Sequence, residues 1–176
     1  PNHLDANYGI IPNKTEDMIR IIDTRISDMS FILDNLDVIE QQNPGLKGKL
    51  NQNMIIAAGH SIGTQVVLVN TGQRIRNPIN NHITESSEDR FMAAVMLSDP
   101  GKMAMMPENT WKGGMTPTFL STGPKDYGLM GDGRRAAEYQ NEILSLPEKL
   151  TGDKYLLLIE DGDHYFGGLI HREVDM

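Results

Sequence analysis

Apolar residues recur at helical spacing in the first part of the chain and form short continuous runs later. Between residues 15 and 37 they fall three or four positions apart, which predicts an amphipathic helix with Thr15 as its N-cap. The apolar members of this stripe are Met18, Ile22, Met29, Ile32, Leu33 and Leu36. Residues 41–52 follow with the turn signal Pro44-Gly45 and are predicted to form a linker.

Four later apolar runs are predicted to be strands. They cover residues 53–58, 92–98, 117–122 and 154–160. Helices are predicted over residues 62–70 and 133–146, whereas the polar, aperiodic residues 71–89 are predicted to be a surface loop. The strand runs are continuous rather than alternating, and helices separate several of them. This pattern predicts an α/β fold with a parallel sheet buried on both faces, within a single domain over residues 1–176.

Composition narrows the classes of function. The 176 residues carry a net charge of −8, and the basic residues are scattered, which argues against nucleic acid and anionic membrane surfaces as partners. No apolar run approaches the roughly 20 residues of a membrane span. The chain has no cysteine, which excludes disulfides and thiol chemistry.

The segment Gly59-His60-Ser61-Ile62-Gly63 carries the clearest chemical signal. It matches the pattern G-x-S-x-G, in which a nucleophilic serine occupies a sharp turn between a strand and a helix. An apolar run precedes the segment and a second one follows it, as this context requires. Glycines on both sides of the serine are expected to relieve crowding in the turn.

A nucleophilic serine needs a base for its hydroxyl proton and an anion that orients the base. In an open parallel sheet, such residues are expected just past the carboxyl ends of the strands. Asp126 follows the strand predicted over 117–122, and His164 follows the strand over 154–160. We therefore predict Ser61, Asp126 and His164 as a catalytic set, with Asp99, after the strand over 92–98, as the alternative acid.

The remaining titratable residues have simpler interpretations. Asp163 is predicted to be a turn residue, and His60 is predicted to point away from its neighbouring serine. Three further histidines are interpreted as structural or solvated, namely His3, His82 and His171. No cluster of His, Asp or Glu has metal-ligand spacing, so neither a metal nor a cofactor is predicted.

Four segments resemble the α/β-hydrolase superfamily, in particular serine esterases related to dienelactone hydrolase and platelet-activating-factor acetylhydrolase. The segments are Ala58-Gly59-His60-Ser61-Ile62-Gly63, Leu97-Ser98-Asp99-Pro100-Gly101, the run from Thr116 to Asp126, and Asp163-His164-Tyr165-Phe166-Gly167-Gly168. Dienelactone hydrolases use a cysteine nucleophile, so the resemblance implies the serine branch. Thr64 stands where relatives often have a glycine, and we expect this change to be tolerated.

The resemblance implies that the first strands of the fold are missing. These enzymes have about four strands before the nucleophile strand, and here one helix precedes it. The chain therefore resembles the C-terminal half of such a hydrolase. In these enzymes the N–H after the nucleophile, here that of Ile62, is one oxyanion donor, and a loop after the third strand supplies another. We expect the strand over 53–58 to pair with a missing N-terminal half or with a second copy of the chain.

Three functions are compatible with these residues. The first is hydrolysis of a small carboxylic ester through a Ser-His-Asp triad and an acyl-enzyme. The second is a non-catalytic or weakly active fragment that serves as an interaction module, and the third is an amidase or peptidase with the same triad. Five methionines have two interpretations: they fill irregular gaps in the core, or they form a flexible apolar pocket for an acyl chain. The five are Met103, Met105, Met106, Met115 and Met130.

Overall fold

The computed structural model of the protein describes residues 15–77, 79–98, 116–127 and 152–165, together with residues 141 and 145. Three helices and six strands lie in these ranges. They are α1 (Thr15–Asp34), α2 (Leu36–Gln42), β1 (Ile55–His60), α3 (Ile62–Asn70), β2 (Thr71–Arg76), β3 (Ile83–Ser87), β4 (Phe91–Leu97), β5 (Thr118–Thr122) and β6 (Lys154–Leu158). A single 3₁₀ turn, Pro44–Leu46, lies between α2 and β1. None of the described helices is long and apolar enough to cross a bilayer.

The helix predicted over 15–37 is two helices. α1 begins at Thr15, one residue earlier than its predicted role as N-cap implies, and ends at Asp34. Asn35 then interrupts the helix, because its side-chain amide donates to the Phe31 carbonyl oxygen at 2.7 Å. α2 begins immediately afterwards and occupies the start of the predicted linker.

The four predicted strands form one sheet in the order β1-β4-β5-β6, and every neighbouring pair is parallel. The parallel arrangement predicted from the apolar runs is confirmed, and the strand ends agree with prediction to within two residues. α3 packs against β1 and β4 on one face of the sheet, and α1 packs against α3, so that the core lies between these elements. Buried side chains there include Ile22, Val67, Val69, Met96 and Leu120.

The opposite face of the sheet carries large apolar side chains. Within the described residues these side chains are exposed, with Ile56 at 57%, Phe119 at 38% and Tyr155 at 62% of their full accessibility. The helix predicted over 133–146, which would lie against this face, falls almost entirely outside the described residues, so the burial of both faces stays a prediction. A continuous apolar run indicates that a strand can be covered on both sides, but it does not specify which elements cover it.

Residues 71–89 are not a loop, as predicted, but an antiparallel hairpin of β2 and β3. β2 alternates between buried and partly exposed side chains, with Thr71, Gln73 and Ile75 facing inward. Two of these three inward residues are polar, so the alternation leaves no trace in a hydrophobicity pattern. The backbone carbonyl oxygen of Asn70, at the end of α3, accepts a hydrogen bond from the Glu88 N–H at 2.8 Å. This bond joins the residue before β2 to the residue after β3 and closes the open end of the hairpin.

The helix predicted over 133–146 lies almost entirely outside the described residues. Within it, the Ser145 N–H donates to the Asn141 carbonyl oxygen at 3.1 Å, a helical spacing. The methionine group of residues 103–130 lies outside the described residues as well.

Candidate active site

Ser61 occupies the turn between β1 and α3. Its backbone has φ 54° and ψ −124°, which is a strained conformation for a residue with a side chain. Two backbone hydrogen bonds hold this turn: the Ser61 N–H donates to the Leu97 carbonyl oxygen at 3.0 Å, and the Thr64 N–H donates to the Ser61 carbonyl oxygen at 2.9 Å. The strand, the turn and the helix that the sequence predicts around this serine are all present.

The two glycines beside Ser61 have different roles. A Cβ atom on Gly59 would overlap the backbone of Gly63 and lie 2.8 Å from the Thr64 nitrogen. A Cβ atom on Gly63 would meet nothing within 4 Å. The expectation that both glycines relieve crowding is therefore correct only for Gly59. Because Gly59 has no side chain, the first turn of α3 can lie directly against the end of β1.

The structure brings Ser61, His164 and Asp126 together. His164 Nε2 lies 2.9 Å from Ser61 Oγ, and His164 Nδ1 lies 2.9 Å from Asp126 Oδ1. Asp126 is fully buried, and His164 is only 8% exposed. An ionised carboxylate can only accept, so Nδ1 carries the proton and Nε2 of the neutral ring is left as an acceptor for the serine hydroxyl.

Two hydroxyl groups that the sequence analysis did not single out surround the carboxylate. Ser98 Oγ and Thr122 Oγ1 both donate to Asp126 Oδ2, at 2.5 and 2.8 Å, and both residues are fully buried. Ser98 Oγ also lies 2.7 Å from His164 Nδ1. Their positions along the chain could have identified them. Ser98 directly follows β4 and Thr122 ends β5, at the edge of the sheet where Asp126 and His164 lie.

The loops that carry Asp126 and His164 are in direct backbone contact. A Cβ atom on Gly123 would overlap the carbonyl group of Gly162, so only glycine allows this approach. The Lys125 N–H donates to the Gly162 carbonyl oxygen at 3.0 Å. Lys125 and Asp161 also form an exposed ion pair at 2.7 Å, which raises the pKa of the lysine and lowers that of the aspartate.

The His60 ring lies beside His164 and Tyr165. Its ring centroid is 5.1 Å from that of His164 and 6.1 Å from that of Tyr165. The Asp163 carboxylate accepts the Tyr165 N–H at 2.9 Å, which is the turn role predicted for it. His60 thus contacts the segment that carries His164, and Asp163 forms a turn within that segment.

The other predicted residues lie elsewhere. Ile62 is the first residue of α3, directly after Ser61, where backbone N–H groups have no acceptor within the helix. His82 is exposed and lines a pocket of about 290 Å³ between α1 and the hairpin. Asp99, His3 and His171 lie outside the described residues. Within the described ranges, no group of three His, Asp or Glu side chains could hold a metal ion.

Comparison with known proteins identifies a similar fold. The chain resembles the propionate-bound structure of a thermophilic esterase from the Planctomycetes species Thermogutta terrifontis, with a TM-score of 0.56 and 13% sequence identity. The match covers 93% of this chain and 60% of the esterase chain, so this chain spans less than two thirds of that protein. No family model and no curated protein matches the sequence. At this identity the likeness shows the fold alone, a mostly parallel sheet flanked by helices.

Proposed function

We propose that the protein is a serine hydrolase that cleaves carboxylic esters. The observation that carries this proposal is the continuous hydrogen-bonded path from Ser61 Oγ through both ring nitrogens of His164 to the buried Asp126. The strained turn that holds Ser61 and the esterase-like fold support it.

In the proposed reaction, Ser61 Oγ attacks the ester carbonyl carbon while its proton passes to His164 Nε2. The resulting imidazolium donates to Asp126 through Nδ1. Collapse of the tetrahedral intermediate breaks the bond to the alcohol oxygen, which leaves with the proton from Nε2. Water, deprotonated by the same nitrogen, then attacks the acyl-serine; the bond from the acyl carbon to Ser61 Oγ breaks, Nε2 returns the proton to Ser61 Oγ, and the carboxylic acid is released.

The oxyanion formed in the first step needs hydrogen-bond donors. The Ile62 N–H is the donor proposed here, because it follows the nucleophile at the open start of α3. The second donor is proposed to come from a segment beside β1, the position that an additional strand of an α/β-hydrolase would occupy. β1 lies at the edge of the described sheet, which supports this proposal. The chain would then be a partial α/β-hydrolase domain, and loss of one donor typically lowers the rate about 10²–10³-fold.

Labelling of Ser61 tests the proposal directly. The purified chain would be treated with a fluorophosphonate probe and assayed with p-nitrophenyl esters of increasing acyl length. We expect the label on Ser61, no label after Ser61→Ala, and normal labelling after Ser27→Ala, which changes an exposed serine of α1.

The same experiment separates the alternatives. A folded chain that neither accepts the label nor hydrolyses esters would support the non-catalytic interaction module. Faster cleavage of p-nitroanilides than of the matching esters would support the amidase or peptidase.

A further inference from the structure

We infer that Ser98 is a positioning residue that holds Asp126 and His164 in a single arrangement. This inference rests on the proposed function, since it concerns how the same base is oriented. Ser98 Oγ lies within hydrogen-bond distance of both residues, 2.5 Å from Asp126 Oδ2 and 2.7 Å from His164 Nδ1.

The hydroxyl protons can be assigned from the partners. Ser98 has a single hydroxyl proton, and the ionised carboxylate can only accept, so this proton lies on the bond to Asp126 Oδ2. A lone pair of Ser98 Oγ therefore faces His164 Nδ1. The Nδ1–H is shared between Asp126 Oδ1 at 2.9 Å and Ser98 Oγ at 2.7 Å. Rotation of the imidazole would break both bonds.

The backbone of Ser98 supports a role for its hydroxyl. Ser98 has φ 53°, in the left-handed region where glycine is favoured and other side chains are strained. Its N–H donates to the Ser121 carbonyl oxygen at 2.9 Å, which ties this strained position to β5. Serine carries a strain here that glycine would avoid, and the two hydrogen bonds of its side chain offset that cost.

Burial makes this hydroxyl important for the chemistry. Ser98, Thr122 and Asp126 are all fully buried, so protein hydroxyls stand where water would otherwise stabilise the carboxylate. When His164 accepts the proton of Ser61, positive charge develops on the ring. The Ser98 lone pair then faces the Nδ1–H of the imidazolium and adds to the stabilisation by Asp126.

Replacement of Ser98 by glycine and by alanine separates this role from a structural one. Both variants lose the hydroxyl, but Ser98→Gly also relieves the backbone strain. We expect kcat for ester hydrolysis to fall about 10- to 100-fold in both variants with little change in KM, because one or two hydrogen bonds to charged groups are lost. Thermal unfolding should show Ser98→Gly to be at least as stable as Ser98→Ala.

Two outcomes would overturn the inference. One is a Ser98→Gly variant with the kcat of the parent, which would make Ser98 a purely structural residue. The other is an unchanged proton NMR resonance of the His164 Nδ1–H in both variants, a measurement that does not depend on activity. Failure of the proposed function would appear separately, as a parent chain whose Ser61 resists the fluorophosphonate label while the NMR resonance still responds to Ser98.

Discussion

His60 Nε2 lies 2.8 Å from the backbone carbonyl oxygen of His164, 104 positions along the chain. A carbonyl oxygen can only accept, so His60 donates this hydrogen bond from Nε2. His60, the residue immediately before Ser61, therefore holds the main chain of His164. The bond joins the turn after β1 to the loop after β6, although these strands lie at opposite ends of the described sheet.

Loss of this bond should impair the proposed reaction. We expect His60→Ala to lower kcat for ester hydrolysis about tenfold, because one hydrogen bond that orients the base is removed. Steady-state kinetics with a p-nitrophenyl ester would measure the effect. His82→Ala is the matched control, since His82 is exposed and lines the pocket between α1 and the hairpin. Unchanged kinetics in His60→Ala would remove His60 from the positioning of His164.

The acid of the proposed triad can be tested with two aspartates. Asp126→Asn should lower kcat by up to about 10⁴, because an amide in place of the carboxylate favours the wrong tautomer of His164. Asp99→Asn, at the alternative acid position, should retain activity close to that of the parent. If the Asp99 variant is the inactive one, the acid is misassigned.

The glycines of the turn form a second matched pair. Gly59→Ala should destabilise the protein by about 1–3 kcal/mol or prevent folding, since its methyl group would overlap the Gly63 backbone. Gly63→Ala should fold normally and gain up to about 1 kcal/mol, because its Cβ faces open space in the first turn of a helix. Urea unfolding of the two variants measures the difference. Equal destabilisation of both would contradict the assigned steric roles.

Glu88 should contribute to stability above acidic pH. Hydrogen bonds from the Arg90 side chain, with a further one from Ser30, lower the pKa of Glu88 from 4.5 to about 2. The unfolded chain then binds more protons between these values, so stability present above pH 4.5 is lost as the pH falls towards 2. We expect Glu88→Gln to flatten this loss by about 1 kcal/mol, since Arg90 is partly exposed.

Urea unfolding between neutral pH and about pH 2 would test the role of Glu88. Glu85→Gln is the control, because Glu85 pairs with Arg74 on the exposed surface of the hairpin. A Glu88→Gln variant whose acid profile matches that of the parent would disprove the assigned contribution.

The edge position of β1 predicts association. β1 lies at the edge of the sheet formed by the described strands, and an edge strand with exposed apolar side chains, such as Ile56 at 57% accessibility, favours pairing with another strand. We expect the isolated chain to self-associate, and Ile56→Lys to reduce this by placing a charge on the edge strand. Size-exclusion chromatography with light scattering measures both. A stable monomer of the parent chain would contradict the proposed pairing of β1 with a further strand.

The sequence by itself was sufficient for the elements whose signals are local. The strand, turn and helix around Ser61 could be predicted because glycine, serine and the flanking apolar runs lie within 20 residues of one another. The parallel sheet could be predicted from continuous apolar runs, and the order of Asp126 and His164 from their positions after predicted strands. These inferences depend on spacing along the chain, which the sequence contains.

Tertiary structure decided which side chains meet. Ser98 and Thr122 surround Asp126 because the parallel register aligns the ends of β4 and β5, and that register is a property of paired strands. The hairpin of β2 and β3 went unpredicted because its inward residues are mainly polar. Contacts between distant residues, such as His60 with the His164 carbonyl, arise only when the loops converge at one edge of the sheet, and no local pattern encodes that convergence.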